Sequence, residues 1–264
     1  MAEAARKFST SAMSDGKPVP IPDQSRGHAF PDIASTETSV PALVGVMGVV
    51  FEALPEGALW WADEKLLVVA DLHFEKGSSF ARRGQLVPPY DTAETLSCLS
   101  RVIERHDPKT VVALGDSFHD DDGAGRMAPR DVDMLVRLQR GRTWIWIAGN
   151  HDPAPPKGLA GDHLDSLAFG RLLFRHEPAA GEAIGEIAGH LHPAARVAGR
   201  GRTVRRRCFV GDGERLVLPA FGAYAGGLNI LDEAFAGLFA RPLRAYVLGK
   251  DRVYAVGRTG LRRG

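Results

Sequence analysis

Apolar residues recur along the chain with two spacings. Short runs rich in Val, Ile, Leu and Trp predict strands over residues 45–54, 59–62, 66–70, 111–114, 143–148, 172–174, 186–188, 204–210, 215–218, 245–248 and 253–256. Between the early runs, Ala93, Leu96, Leu99, Val102 and Ile103 fall at helical spacing and predict a helix over 92–104, while Val132, Leu135, Val136 and Leu138 predict another over 129–140. Leu66-Leu67-Val68-Val69-Ala70 and Trp144-Ile145-Trp146-Ile147-Ala148 are apolar throughout, so those strands need cover on both faces. The later strands alternate more and lie closer together. So many strands exceed one sheet, and the expected class is α/β (α+β): two stacked mixed β-sheets flanked by helices. Trp60-Trp61 and the alternating Trp144 and Trp146 are assigned to core packing rather than to base stacking, since neighbouring strand residues face opposite ways.

Residues 1–41 show no such periodicity and are rich in Ser, Thr, Pro and Ala, so they are expected to form a flexible tail. One domain is expected over 42–258, with no internal repeat, and a short basic tail over 259–264. Glu3, Asp15 and Lys17 interrupt every candidate apolar core of an export signal, and the apolar stretch 42–51 is about half of the roughly 20 residues that cross a bilayer. No membrane partner is expected. Cys98 and Cys208 lie far apart with no CxxC spacing, which fits a reducing cytoplasm. With 33 Lys plus Arg against 32 Asp plus Glu there is no global basic excess, so any nucleic-acid surface must be local.

Polar clusters close the buried runs: Asp71-Leu72-His73, then Gly115-Asp116-Ser117-Phe118-His119, then Gly149-Asn150-His151-Asp152. His176 follows Leu172-Leu173-Phe174-Arg175, and Gly189-His190-Leu191-His192 comes next. The carboxyl ends of adjacent parallel strands meet at one edge of a sheet, so these clusters converge. One such residue alone is an ordinary cap or core hydrogen bond; five clusters together are not. Carboxylates, imidazoles and one Asn carbonyl form the mixed donor set of borderline divalent cations such as Mn, Fe or Zn, with too few carboxylates for a calcium cage and too few thiols for structural zinc. Glycines ahead of Asp116, Asn150 and His190 let the backbone turn tightly behind these donors.

At these residues the chain closely resembles the calcineurin-like metallophosphoesterases, whose ordered signature is D-x-H, G-D-x-x-(D/H), G-N-H-(D/E), a lone H, and G-H-x-H. The resemblance implies a two-metal site: Asp71, His73 and His192 would hold one cation, Asn150, His176 and His190 the other, and Asp116 would bridge them. Two such cations polarise phosphoryl oxygens and generate a bridging hydroxide that attacks phosphorus in line. His151 would protonate the leaving alkoxide, with His119 and Asp152 beside it in the catalytic group, and its second ring nitrogen needs an orienting partner. His119 stands where the phosphatase branch has Asp, which is similar to double-strand-break repair nucleases of the superfamily and favours a diester substrate. The stretches 71–84, 86–92 and 218–229 further resemble the ligase-associated DNA-damage-response endonuclease family of bacteria, over roughly residues 45–256. That resemblance implies a manganese-dependent phosphodiesterase in DNA repair, encoded beside a DNA ligase, a helicase and an exonuclease with which a functional association is expected; the expected partner is DNA, single-stranded or locally unpaired. The front segment is not part of the family pattern.

Arg196, Arg200, Arg202, Arg205, Arg206 and Arg207 follow the last two histidines with no acid among them. Arg200, Arg202, Arg205, Arg206 and Arg207, with Lys76, Arg82 and Arg83 after the first cluster, are candidates for tracking a DNA backbone, although a solvated hairpin accounts for the same pattern. Three functions compete: a DNA phosphodiesterase or endonuclease, a phosphomonoesterase or small-molecule phosphodiesterase acting on a nucleotide-type ester, and a non-catalytic scaffold of the same fold. The complete donor set and His151 weigh against the scaffold, and the basic stretch weighs towards a polymer.

Overall fold

In the computed structural model, which describes residues 41–199 and 202–263, the apolar runs assemble into two sheets. The expected Ser- and Pro-rich tail, Pro41 apart, lies outside the described residues, as does Arg200. The first sheet runs in chain order: β1 (Ala42–Val46), β2 (Val49–Ala53), β3 (Leu59–Trp61), β4 (Leu66–Val69), β5 (Thr110–Leu114), β6 (Thr143–Ile147) and β7 (Asp162–Leu164). The pairs from β1 to β4 are antiparallel and those from β4 to β7 parallel. The single strand expected over 45–54 is instead a hairpin, because Met47 and Gly48 both take positive φ (52° and 80°) as a tight two-residue turn requires.

Among the described residues, four helices belong to the first half: α1 (Lys76–Arg82), α2 (Asp91–His106), α3 (Gly123–Arg126) and α4 (Pro129–Gln139). Leu96, Leu99 and Ile103 of α2 and Leu135 of α4 cover Leu67, Val69, Val111, Ala113, Trp144 and Trp146 on the outer face of the first sheet. On its inner face, Val68, Val112, Ile145 and Ile147 meet Phe174, Ile187, Phe209 and Leu218 of the second sheet. Burying each such side chain contributes about 1.5–3 kcal/mol. Trp60 enters the helix-side cluster and Trp61 the inter-sheet cluster, and Trp144 and Trp146 are also buried, so all four tryptophans are core.

The second sheet follows the path β14 (Leu228–Asn229), β11 (Pro193–Gly199), β12 (Arg202–Gly211), β13 (Arg215–Val217), β10 (Glu186–Ala188), β9 (Leu172–Arg175) and β8 (Ser166–Phe169). β15 (Arg244–Leu248) pairs with β12 and with β16 (Val253–Gly257), and β17 (Leu261–Arg262) pairs with β11. Leu261 is buried, so the basic end expected as a tail contributes a strand at 261–262. The outer face of this sheet is closed by Ile230, Phe235 and Leu238, from an irregular connection. Inside, Arg215 Nε lies 2.6 Å from Glu186 Oε2 with both side chains buried. Arg215 also donates to the Leu238 and Ala179 carbonyls (2.6 and 2.8 Å), and Glu186 accepts from Ala179 N (3.0 Å), tying the loop after His176 to β13.

Parallel β4, β5 and β6 end side by side, as do parallel β9 and β10, so the five polar clusters meet along one edge. Among the described residues no helix is long and apolar enough to cross a membrane.

Candidate metal centre

Two groups of side chains converge at that edge. Asp71, His73 and His192 have ligand atoms mutually within 4.8 Å, and so do Asp116, His176 and His190. In the first group His73 Nε2 lies 3.2 Å from His192 Nε2, which is 3.3 Å from Asp71 Oδ1. In the second, His176 Nε2 lies 3.4 Å from Asp116 Oδ1, 3.1 Å from His190 Nδ1 and 2.9 Å from Asn150 Oδ1. Asp116 faces both groups, since its other oxygen is 4.0 Å from His73 Nε2. The sequence therefore brings together all seven residues named as ligands.

Local backbone explains how so many donors share one space. Asp71, His73, Asp116, His190 and His192 all take left-handed φ, between 46° and 68°. That conformation costs a non-glycine residue about 1–2 kcal/mol and is tolerated where the surroundings fix it. Here they do: His190 N donates to both Asp71 oxygens (3.1 and 3.0 Å), and His151 N donates to Asp116 Oδ1 (2.9 Å). Of the three glycines expected to turn behind ligands, only Gly115 has a positive φ (71°), where a Cβ would also strike the His176 ring at 2.5 Å. Gly149 serves by closeness instead, since a Cβ there would overlap the Asp116 backbone N.

The donor chemistry fits a pair of cations. His176 Nδ1 donates to the Leu114 carbonyl (2.9 Å), which leaves its Nε2 lone pair facing the cluster. Burial first, then His192 and Lys76, push the His73 pKa down to about 2; burial and then His176 also lower that of His190. Both are thus held neutral, as ligation requires. Donor atoms 3.1–3.4 Å apart match neighbouring ligands on one ion, since bonds of about 2.1 Å at tetrahedral to octahedral angles place donors roughly 3.0–3.4 Å apart.

His151 belongs to neither group. Its Nδ1 donates to the His119 main-chain carbonyl (3.0 Å), its ring stacks on that of His119 (centroids 5.0 Å, 19°), and its Nε2 stands 3.9 Å from Asp116 Oδ2. The orienting partner is therefore a carbonyl. His119 is buried rather than a surface residue, its pKa pushed down to about 4 by burial, then Lys76. Asp152, counted with the catalytic group from sequence, is placed behind the site: Oδ2 accepts from Phe118 N (3.0 Å) and braces the 115–119 loop. Burial raises its carboxyl to about 7 against the Phe118 N–H, with Asp116 adding to the rise.

The basic candidates separate. Lys76 sits close enough to His73 and His119 to lower both pKa values, its Nζ 5.8 Å from the Phe80 ring centroid. Arg82 and Arg83 are exposed, Arg82 3.6 Å from Asp122. Arg206 is exposed, and of Arg202 only the backbone is described. Arg205 donates to the Gly227 carbonyl, and Arg207 turns inward to donate to the Ala220 and Phe221 carbonyls (2.7 and 3.3 Å). Those two therefore hold the 219–228 segment, whose Phe221 N and Gly222 N donate to the Ala70 and Asp71 carbonyls (2.8 and 3.2 Å).

Sequence reasoning assigned no role to Glu75, Asp91 and Thr92. Thr92 Oγ1 accepts from Glu75 N (2.9 Å) and donates to Glu75 Oε1 (3.0 Å), while Asp91 Oδ2 accepts from Gly77 N (2.9 Å). This network anchors the 71–77 loop to the start of α2. The available signal was their place in the stretches 71–84 and 86–92 that carry the family resemblance.

Residues 64–214, more than half of the chain, match the family model described as calcineurin-like phosphoesterase. Among solved structures, the chain is similar to the nuclease MPE of Pseudomonas putida, at 28% identity and a TM-score of 0.63, over 82% of this chain and 100% of that one. It is also matched by Yfce, a phosphoesterase from E. coli, at 14% identity and a TM-score of 0.37, over 73% and 98%. No curated protein matches it. With the donor set assembled at the strand ends and the family pattern running through it, the chain belongs to the calcineurin-like phosphoesterases and is a metal-dependent phosphoesterase.

Proposed function

We propose that the chain is a two-metal phosphodiesterase that cuts DNA, preferentially where it is single-stranded or unpaired. Asp71, His73 and His192 would hold one divalent cation and Asn150, His176 and His190 the other, with Asp116 between them. Manganese is the expected ion, with Fe or Zn compatible with four imidazoles, two carboxylates and one amide oxygen. Bound there, such a pair supplies Lewis-acid polarisation of the phosphoryl group and activation of water.

The protein's own contribution is orientation and proton delivery. With Nδ1–H fixed on the His119 carbonyl, His151 would present Nε2–H to the leaving oxygen, its Nε2 standing 3.9 Å from Asp116 Oδ2 at the edge of the ligand groups. His119 would keep the His151 ring in register by stacking, and Asp152 would act as a positioning residue through Phe118. Lys76, Arg82, Arg83, Arg200, Arg202 and Arg206 would add salt-sensitive affinity for a strand. The observation that carries this reading is an oriented imidazole outside both ligand groups, as a poor alkoxide leaving group demands, in a chain similar to a nuclease. A cytoplasmic role in DNA repair, beside a ligase, helicase and exonuclease of the same locus, follows from the family resemblance.

The test is metal-stripped protein reloaded with Mn and offered single-stranded circular DNA, a nitrophenyl diester and a nitrophenyl monoester side by side. Opening of the circle and preference for the diester support the proposal. Turnover of the monoester alone would replace it with the small-ester reading.

A further inference from the structure

A basic cleft is edged by Phe221 and Ala223, on the segment whose Phe221 N and Gly222 N donate to the Ala70 and Asp71 carbonyls. It encloses about 620 Å³ between α2 and residues 221–223, and its lining includes Tyr90, Glu94, Ser97, Cys98, Arg101 and Arg207. Phe221 and Ala223 also line it, while Gly222 between them lies against the Asp71 and Leu72 backbone, where a Cβ would overlap the Leu72 carbonyl oxygen. The backbone that carries Asp71 thus packs against the segment that edges the cleft. Arg207 also lines a smaller cleft of about 300 Å³ with Arg205, Arg206 and Gly227, and Gly227 in turn abuts the carbonyl of His192.

The chemistry of the larger cleft is that of an anion site. Arg207 is half-buried, yet among the described residues no carboxylate lies within ion-pair distance of it, and its only hydrogen bonds are those from Nη1 to the Ala220 and Phe221 carbonyls. A guanidinium drawn out of water without a counter-charge is costly, and its remaining donors suit a phosphate. Arg101 adds a second guanidinium, with Nη1 donating to Ser97 Oγ (3.0 Å), which leaves that hydroxyl's proton for an acceptor. Tyr90, 57% exposed, offers a ring at the start of α2. Two cations, a hydroxyl and an exposed ring match a nucleotide's phosphate and base. Glu94 opposes them.

We propose that this cleft is a phosphate subsite in which Arg101 and Arg207 grip a DNA backbone phosphate away from the scissile one, with Tyr90 stacking on an adjacent base. The assignment rests on the reading of the chain as a DNA phosphodiesterase. None of the metal-group residues lines the cleft, so in this reading a small diester occupies the metal centre alone and the subsite serves a polymer.

The experiment measures binding of a fluorescent single-stranded oligonucleotide with cleavage-resistant phosphorothioate linkages to the full-length, Mn-loaded protein across a salt series. Arg101→Gln should weaken binding about tenfold and lower the salt slope by about one. Glu94→Gln should tighten binding, and Arg137→Gln, an exposed charge on α4 outside the cleft, should leave it as in the native protein. Cys98 is a native reporter, because it lines the cleft while Cys208 is buried: saturating oligonucleotide should slow alkylation of Cys98 by N-ethylmaleimide several-fold. Binding by Arg101→Gln within twofold of native with an unchanged salt slope, or Cys98 alkylation indifferent to DNA, overturns the subsite. If native protein still opens circular DNA in that case, the phosphodiesterase reading stands without it. If native protein neither binds nor cuts DNA, both fail together.

Discussion

His151→Ala removes the imidazole that neither ligand group uses, so it separates proton delivery from metal binding. The backbone N–H of residue 151 still donates to Asp116 Oδ1, a bond of 2.9 Å that does not depend on the side chain, so metal content should stay native. The side chain is 40% exposed and its main packing is the stack on His119, so about 0.5–1.5 kcal/mol of stability is at stake. Catalysis should suffer far more. General acid assistance contributes roughly 10²–10⁴-fold, equivalent to about 3–5 kcal/mol of barrier, when the leaving group is a deoxyribose alkoxide. A nitrophenolate departs with little need for a proton and should lose less than about tenfold. The assay compares kcat/KM on a DNA oligonucleotide and on a bis-nitrophenyl diester for native and variant protein, with metal content by elemental analysis and stability by urea unfolding. Equal losses on both substrates, with metals retained, would refute the acid role.

Other consequences follow from the same geometry. Asp116→Ala should abolish hydrolysis of every ester and lower metal content well below two ions per chain, because one carboxylate faces both groups; a variant that keeps both metals contradicts the bridge. Replacing Arg200, Arg202 and Arg206 together with Ser should flatten the salt dependence of DNA binding, measured with a His151→Ala background to prevent cutting; an unchanged slope returns this stretch to a solvated hairpin. Glu186→Ala should destabilise the fold by about 3–5 kcal/mol in urea unfolding by stranding buried Arg215, whereas a double change to Leu and Met should cost less. Equal losses from the single and double variants would argue against a stranded charge.

The residues that meet at the centre were legible because their chemical types stand at the ends of apolar runs, where parallel strands must deliver them together. The two sheets and the helices α2 and α4 were legible from periodicity for the same reason: Leu96, Leu99 and Ile103 need a face to cover. Less was visible where chemistry depends on backbone geometry. Nothing in a pattern of types announces left-handed φ at Asp71, His73 or His192, since only glycine marks such positions in sequence. The 45–54 run read as one strand because both arms of the hairpin are apolar. β11 was not anticipated, as Pro193-Ala194-Ala195-Arg196 lacks the bulky residues of a strand and owes its place to pairing with β12. Arg207 reads as one more charge in a basic stretch, and its inward turn depends on carbonyls that arrive from residues 220 and 221. Asp152 follows a motif histidine directly, yet its partner, Phe118 N, lies on another loop.

The most direct measurement follows the opening of single-stranded circular DNA while Mn is titrated into metal-stripped protein, with bound metal counted in the same samples. Two ligand groups sharing Asp116 predict that cutting stays low through the first equivalent, rises with the second and levels off at two ions per chain. Full cutting at one equivalent, or two bound ions with no cutting of DNA, would contradict the account.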